Sequence, residues 1–236
     1  MRMVNDYVKG IIPKILNNMK PFRVAIEGNV GSGKSTLIKY FKNFKDVEAN
    51  LEPIEMWRDV RGHNLLELTY SEPHRWNFAF QHNLQLSRLK LQSKKTEKKV
   101  QIFERSLQNN RFCFVEMAHD SGILSTPEYN VMCDWYEYIE NTVDIGLDLI
   151  VYLRSLPDTV FKRMQRRNRP EERSVKKSYL EKLHVYYEKW LMKDNLCNFP
   201  YSLLVIDVNK DLSDENLIKI YKNYEDQILG KTPILS

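Results

Sequence analysis

Phe22-Arg23-Val24-Ala25-Ile26-Glu27-Gly28-Asn29-Val30-Gly31-Ser32-Gly33-Lys34-Ser35 is the stretch from which the fold can be read. Phe22 to Glu27 reads as a buried strand, Gly28 to Gly33 is a glycine-rich turn, and Lys34 to Phe41 continues as a helical stretch. From Gly28 to Ser35 the residues fit G-x-x-x-x-G-K-[ST], a phosphate loop. Glycines there let successive backbone N–H groups point into one nest, and the helix that follows adds positive potential. Gly28, Asn29, Val30, Gly31, Ser32 and Gly33 would cradle phosphates. Lys34 would place a charge on the outer ones, and Ser35, followed by Thr36, would bring a hydroxyl to Mg²⁺. A glycine turn with a chance lysine is the plain alternative, and the position between strand and helix argues against it. The loop implies a nucleoside triphosphate without saying what becomes of it.

Working outward, further short apolar runs end in polar residues. They are Val100 to Phe103 before Glu104, Leu149 to Leu153 before Arg154, and Leu203 to Ile206 before Asp207. A short second strand precedes Glu52. Between the runs lie helical patterns at Trp76–Gln92, Leu107–Ala118, Tyr129–Asn141, Pro157–Arg167 and Lys177–Lys193. Strands alternating with helices predict an α/β fold of three layers, a parallel five-stranded sheet flanked by helices. Ligands of such sheets bind beyond the carboxyl ends of the strands, where these polar residues fall.

Composition bounds the rest. The chain has 236 residues, 42% hydrophobic and 28% charged, so it can bury a core and is neither disordered nor fibrous. No apolar run approaches the roughly 20 residues of a membrane span, so no membrane partner is expected. Cys113, Cys133 and Cys197 lack metal-ligand spacing, which suits a reducing compartment without disulfides or structural zinc. A net charge of +5 suits an anionic small substrate as well as nucleic acid. Residues 1–20 read as an N-terminal extension before one domain at 21–236. Their basic, helically spaced pattern is somewhat like a mitochondrial presequence, but Pro13, the single Arg2 and the lack of serine favour a plain extension and a cytoplasmic protein. A GTPase is disfavoured: Asp59-Val60-Arg61-Gly62 fits DxxG, but Asn209-Lys210-Asp211-Leu212 misses N-K-x-D.

The phosphate loop is followed, in order, by Glu52-Pro53-Ile54-Glu55-Met56-Trp57, Asn64-Leu65-Leu66-Glu67, Glu104-Arg105-Ser106 and an arginine-rich stretch from Arg163 to Glu172. The ordered set, from about Phe22 to Val208, resembles the deoxyribonucleoside kinases. That family holds deoxycytidine and deoxyguanosine kinases, mitochondrial thymidine kinase and the insect multisubstrate enzyme, the last being most similar in pattern. The resemblance implies transfer of the ATP γ-phosphate to the 5′-hydroxyl of a deoxynucleoside, with ATP and Mg²⁺ bound. Such a reaction needs a carboxylate to take the proton of a poor nucleophile, and cations for the transferring charge. By resemblance Glu52 is that base, Arg105 the cation, and Glu104 joins Ser35 at Mg²⁺. Arg163-x-x-x-Arg167-x-Arg169 resembles the LID, about 163–175, that closes over ATP and excludes water. Tyr70 and Glu172 would grip the 3′-hydroxyl.

Phe80, Gln81, Leu84 and Arg88 recur along one helix face, and Asn110 and Phe114 stand four apart on the next helix. Read alone, such aromatics are as consistent with core packing. The resemblance implies a base stacked between Phe114 and Phe80 or Trp57, with Gln81 on its Watson–Crick edge. Arg88 and Asn110 stand where thymidine-accepting members carry apolar or small residues, and where deoxycytidine and deoxyguanosine kinases carry Arg and Asp. Deoxycytidine is therefore the expected substrate, purines next. Asp207 to Leu212 is similar to the loop that holds the donor base, which places Asp211 beside ATP, with Leu212 where deoxycytidine kinase has an aromatic. A homodimer is implied, for which the apolar face around Trp135 and Tyr136 is suited, and no nucleic acid partner. A nucleoside monophosphate kinase of thymidylate type is the first rival, but it would carry Asp-Arg and an aromatic in place of Glu104-Arg105-Ser106. A non-catalytic nucleotide-binding protein of the same fold is the second.

Overall fold

The computed structural model describes residues 20–193, 200–210 and 213–234. Residues 1–19 of the expected extension, Cys197, Asp211 and Leu212 lie outside them. Five strands pair in parallel: β1 (Phe22–Glu27), β2 (Val47–Asn50), β3 (Val100–Glu104), β4 (Leu149–Arg154) and β5 (Ser202–Asp207), in the order β2-β3-β1-β4-β5. β1 lies at the centre, with Val24 level with Ile102 on one side and Leu149 on the other.

The period of two along β1 assigns its side chains to two faces. Val24 and Ile26 join Leu37, Ile38 and Phe41 of α1 (Lys34–Phe41) and residues of the C-terminal helix, such as Leu217 and Tyr221. Ala25 joins Phe103, Ile150, Cys113, Leu183 and Tyr187 on the opposite face. The same parity sends Glu27 to that second face, where it is fully buried.

The other helices are α2 (Ile54–Arg58), α3 (Leu65–Ser71), α4 (Pro73–Gln92), α5 (Leu107–Asn109), α6 (Glu116–Asp120), α7 (Thr126–Thr142), α8 (Pro157–Arg167), α9 (Lys177–Glu188), α10 (Asp214–Lys222) and α11 (Glu225–Ile228). α8 starts with proline in its first turn and stops at Asn168, whose left-handed φ of 52° turns the chain toward the short 3₁₀ turn at Pro170–Glu172. α2 and α3, each too short to show periodicity, were not expected from the sequence. The pattern at Leu107–Ala118 is not one α-helix. Asn110–Val115 between α5 and α6 is π-helical, with wider turns.

β3 leads to β4 on the far side of β1, so the crevice beyond the carboxyl ends of β1 and β3 lies at the reversal of the sheet order. No helix among the described residues is long and apolar enough to cross a membrane.

Candidate active site

β1 delivers the phosphate loop to the rim of that crevice. Gly31 and Gly33 have φ of 83° and 99°, and a Cβ on either would stand 2.7 Å from the Val160 carbonyl or 2.6 Å from the Tyr221 hydroxyl. No other residue fits there. Lys34, buried at the start of α1, donates to the carbonyls of Gly28 (3.0 Å) and Asn29 (2.7 Å). Burial, and Arg105 nearby, hold its ammonium well below the usual lysine range. Asn29 Nδ2 donates to the Leu180 carbonyl at 2.8 Å, and its Oδ1 accepts from the Val30 N–H, which fixes the loop against α9. Ser35 Oγ donates to Glu104 Oε1 at 2.6 Å. These two oxygens, from the first turn of α1 and the end of β3, are hard donors of the type Mg²⁺ takes alongside phosphates.

A cavity of about 440 Å³ opens beside the loop. Its wall includes Val30, Gly31, Lys34, Glu52, Trp57, Tyr70, Phe80, Gln81, Leu84, Arg88, Glu104, Arg105, Phe114, Arg167, Arg169 and Glu172, so one space collects most residues expected at the site. Glu52 follows β2, and its side chain is only 7% exposed. Arg105 Nη1 donates to both its oxygens, at 3.1 and 3.0 Å, and Arg88 Nη2 donates to Oε1 at 2.8 Å. Burial alone would raise the Glu52 carboxyl, but the guanidinium groups of Arg105 and Arg88 outweigh it and hold Glu52 well below the carboxylate range.

Arg105 itself has a φ of 63°, a left-handed turn that is costly without a surrounding that enforces it. Here Ser106 supplies it: its N–H and Oγ donate to Glu27 Oε1 at 2.8 and 2.7 Å. Arg105 Nε donates to the Tyr187 hydroxyl at 3.3 Å, and its guanidinium lies 5.2 Å from the Phe114 ring centre. Burial pushes the Glu27 carboxyl up to about 7, against the Ser106 hydrogen bond and the two arginines. The sequence showed Glu27 only as the acidic last residue of a strand that is otherwise apolar except for Arg23. Tyr187 and Asn109, which meet at 2.9 Å, carried no signal at all.

Several expectations change. Asn110 does not line the cavity: it is fully buried behind Gln81, with Nδ2 donating to Gln81 Oε1 at 2.6 Å. Phe114 remains in the cavity wall, while the Asn110 side chain is taken up by Gln81. Arg88 lines the cavity, but its guanidinium is committed to Glu52, to the Ser106 carbonyl (3.1 Å) and to Asn109 Oδ1 (3.3 Å) rather than left free for a base. Arg163 is absent from the wall; it donates to the carbonyls of Val208 (2.8 Å) and Lys210 and so supports the loop after β5. Tyr136 is buried, and the exposed aromatics of α7 are Trp135 and Tyr138.

On the other wall, Trp57 Nε1 donates to Ser87 Oγ at 2.9 Å, and its ring meets Phe80 edge-on at 5.9 Å. Glu172 of the short 3₁₀ turn Pro170–Glu172 accepts from Arg167 at 2.7 and 2.8 Å and from Arg169 at 3.5 Å.

The family model described as Deoxynucleoside kinase matches residues 24–228. Among characterised relatives, mitochondrial Thymidine kinase 2 of Homo sapiens is 37% identical over 206 residues, which cover 87% of this chain and 77% of the relative. Deoxycytidine kinase of Homo sapiens is 33% identical over 234 residues, 86% of this chain and 90% of its own length. Deoxycytidine kinase 2 of Gallus gallus is 33% identical, with 84% and 86% covered. The match spans both walls of the cavity and the loop between them, and it places this chain in the deoxynucleoside kinase family.

Proposed function

We propose that this enzyme, a deoxynucleoside kinase by family, phosphorylates the 5′-hydroxyl of deoxycytidine first, purine deoxynucleosides next and thymidine last, in nucleotide salvage. The observation that carries the reading is the Glu52 carboxylate. It sits in the cavity wall between Arg88 and Arg105, beside the Ser35–Glu104 pair and the phosphate loop. A buried anion so placed can accept from a hydroxyl and, as the phosphoryl transfers, take its proton. Arg105 is within reach of both groups and steadies the charge that develops.

ATP would be held with its phosphates on Gly28 to Thr36 and by Arg167 and Arg169, and with its base toward the loop after β5 that Arg163 supports. Mg²⁺ is held by Ser35 and Glu104, and when bound it neutralises phosphate charge. Tyr70 and Glu172 hold the sugar, while Phe80, Phe114 and Trp57 enclose the base.

Gln81 argues for the base order. Its oxygen already accepts from Asn110, which leaves its NH₂ for the ligand. Cytosine N3, adenine N1 and purine N7 are acceptors, whereas thymine N3 carries a hydrogen.

Residues 21–236 act as one domain. Two copies pair through α7, where Trp135 and Tyr138 are 50% and 61% exposed. A cytoplasmic location is proposed, with a mitochondrial one as the alternative that the name of the human thymidine kinase favours. Coupled ADP release on the four deoxynucleosides and their monophosphates tests the reading. Turnover of a monophosphate but no nucleoside would replace it with a thymidylate-type kinase, and no turnover with a non-catalytic binding protein.

A further inference from the structure

Two adjacent glutamates on the LID turn face different partners. Glu172 meets Arg167 and Arg169 within the LID. Glu171 crosses to the other wall and accepts from Arg58, with Nε–Oε1 2.6 Å and Nη2–Oε2 3.1 Å. Both oxygens of one carboxylate thus meet one guanidinium, the paired geometry that gives such contacts their direction as well as their strength. The Glu171 side chain is 8% exposed and that of Arg58 30%, so the contact is partly shielded from water. The hydrogen bond lowers the Glu171 carboxyl and raises the Arg58 guanidinium, as a formed ion pair requires. Glu55, one turn earlier, also holds Arg58 at 2.6 Å.

What the pair connects gives it a consequence. Arg58 ends α2, which starts two residues after Glu52 and carries Trp57 into the cavity wall. Glu171 lies between Arg169 and Glu172, all three in that same wall. One side of the contact therefore fixes the segment with the proposed base. The other fixes the segment proposed to cover the phosphates and grip the sugar.

We propose that Arg58 and Glu171 are positioning residues that clasp the LID to the Glu52–α2 segment, so that ATP and deoxynucleoside tighten each other's binding. The proposal rests on the kinase reading above. Arg58 also lines the cavity, so its rival role is a direct cationic ligand for the substrates.

The test uses the full chain with Arg58→Gln, Glu171→Gln and the exchanged pair Arg58→Glu with Glu171→Arg. Tryptophan fluorescence gives the affinity for whichever deoxynucleoside the parent phosphorylates best, with and without Mg²⁺ and a non-hydrolysable ATP analogue. Each single variant should lose at least about fivefold of the tightening that the analogue brings, the low end of usual coupling between sites. Its kcat/KM should fall by about tenfold, because closure sets both binding and turnover. The exchanged pair should regain most of both.

Single variants that keep the tightening, or an exchanged pair as deficient as they are, overturn the clasp. The second result would assign Arg58 to direct ligand contact. Should the exchanged pair melt far below the parent, Arg58→Lys replaces it. Retaining part of the coupling supports the clasp, and losing as much as Arg58→Gln overturns it. A parent that binds both ligands without mutual tightening also overturns it. A parent that phosphorylates no deoxynucleoside sinks the kinase reading instead.

Discussion

Replacing Glu52 by Gln keeps the shape of the side chain and removes its charge between two guanidinium groups that approach to 2.8 and 3.0 Å. Two losses follow, and they can be measured apart. The first is in stability. At an effective dielectric of about 20, a unit pair near 4 Å is worth about 4 kcal/mol, much of it offset by the cost of burying the carboxylate. Breaking a buried pair from one side usually costs about 3–5 kcal/mol, because the partner charge stays behind. Here Arg88 keeps the Ser106 carbonyl and Asn109, and Arg105 keeps Tyr187, so the lower end of that range is expected. Thermal melting reads this loss directly.

The second loss is in turnover. An amide cannot take the proton of the 5′-hydroxyl, so kcat should fall by about 10²–10⁴-fold. KM should change far less, because the amide oxygen still accepts a hydrogen bond. Steady-state assays at 15 °C, below the transition of the weakened variant, separate the two effects. A Glu52→Gln enzyme that melts early yet turns over within about threefold of the parent would refute the catalytic role and leave Glu52 as a counter-ion.

Three further outcomes are expected. Lys34→Ala should abolish ATP turnover at little cost in melting temperature, since burial already penalises the ammonium that bonds the Gly28 and Asn29 carbonyls; a variant with near-normal turnover would contradict its role. Arg88→Met with Asn110→Ala should raise the thymidine-to-deoxycytidine ratio of kcat/KM by about 1–3 kcal/mol in free-energy terms, because Gln81 regains a free oxygen for the thymine N3–H; kcat on every substrate should fall as Glu52 loses one guanidinium, and a parent that already prefers thymidine defeats the idea. Glu27 has a carboxyl raised from 4.5 to about 7, so the folded state holds its proton more tightly than the unfolded chain. That contribution is complete below about pH 4.5 and lost as pH rises through 7. Glu27→Gln should therefore melt higher than the parent at pH 8, by about 1–3 kcal/mol, with no gain at pH 4.5; equal gains at both would show that the charge is not the cause.

Whatever depended on neighbours in the chain was legible in the sequence. The strand Phe22–Glu27, the glycine turn and helix after it, and the positions of Glu104, Arg154 and Asp207 at strand ends follow from local rules of a parallel sheet. The stripe Phe80, Gln81, Leu84 and Arg88 was also read, since an ideal α-helix carries it. Which group each residue would meet was not legible. Arg88 finds Glu52 across 36 positions, and Tyr187 finds Arg105 across 82. Asn110 was misplaced for the same reason, since the Gln81 amide that takes up its side chain lies 29 positions away. The Arg58–Glu171 contact was invisible twice over, since α2 is too short for periodicity and its partner lies 113 positions away.

The pairing of charges in the cavity suggests why its cations and acids come together. Lys34 rests on loop carbonyls, Arg105 and Arg88 on Glu52, and Arg167 and Arg169 on Glu172. A cleft with unpaired cations would repel itself, so each of these arginines is paired with an acid and Lys34 is held by hydrogen bonds. On the proposed roles, phosphates that draw Arg105 and Arg167 toward themselves loosen Glu52 and Glu172. These are the two carboxylates that the 5′- and 3′-hydroxyls of the acceptor need. Donor binding then exposes acceptor sites by exchange of partners rather than by creating new charge. The Arg58–Glu171 contact, outside that exchange, keeps the two walls in place while the partners change.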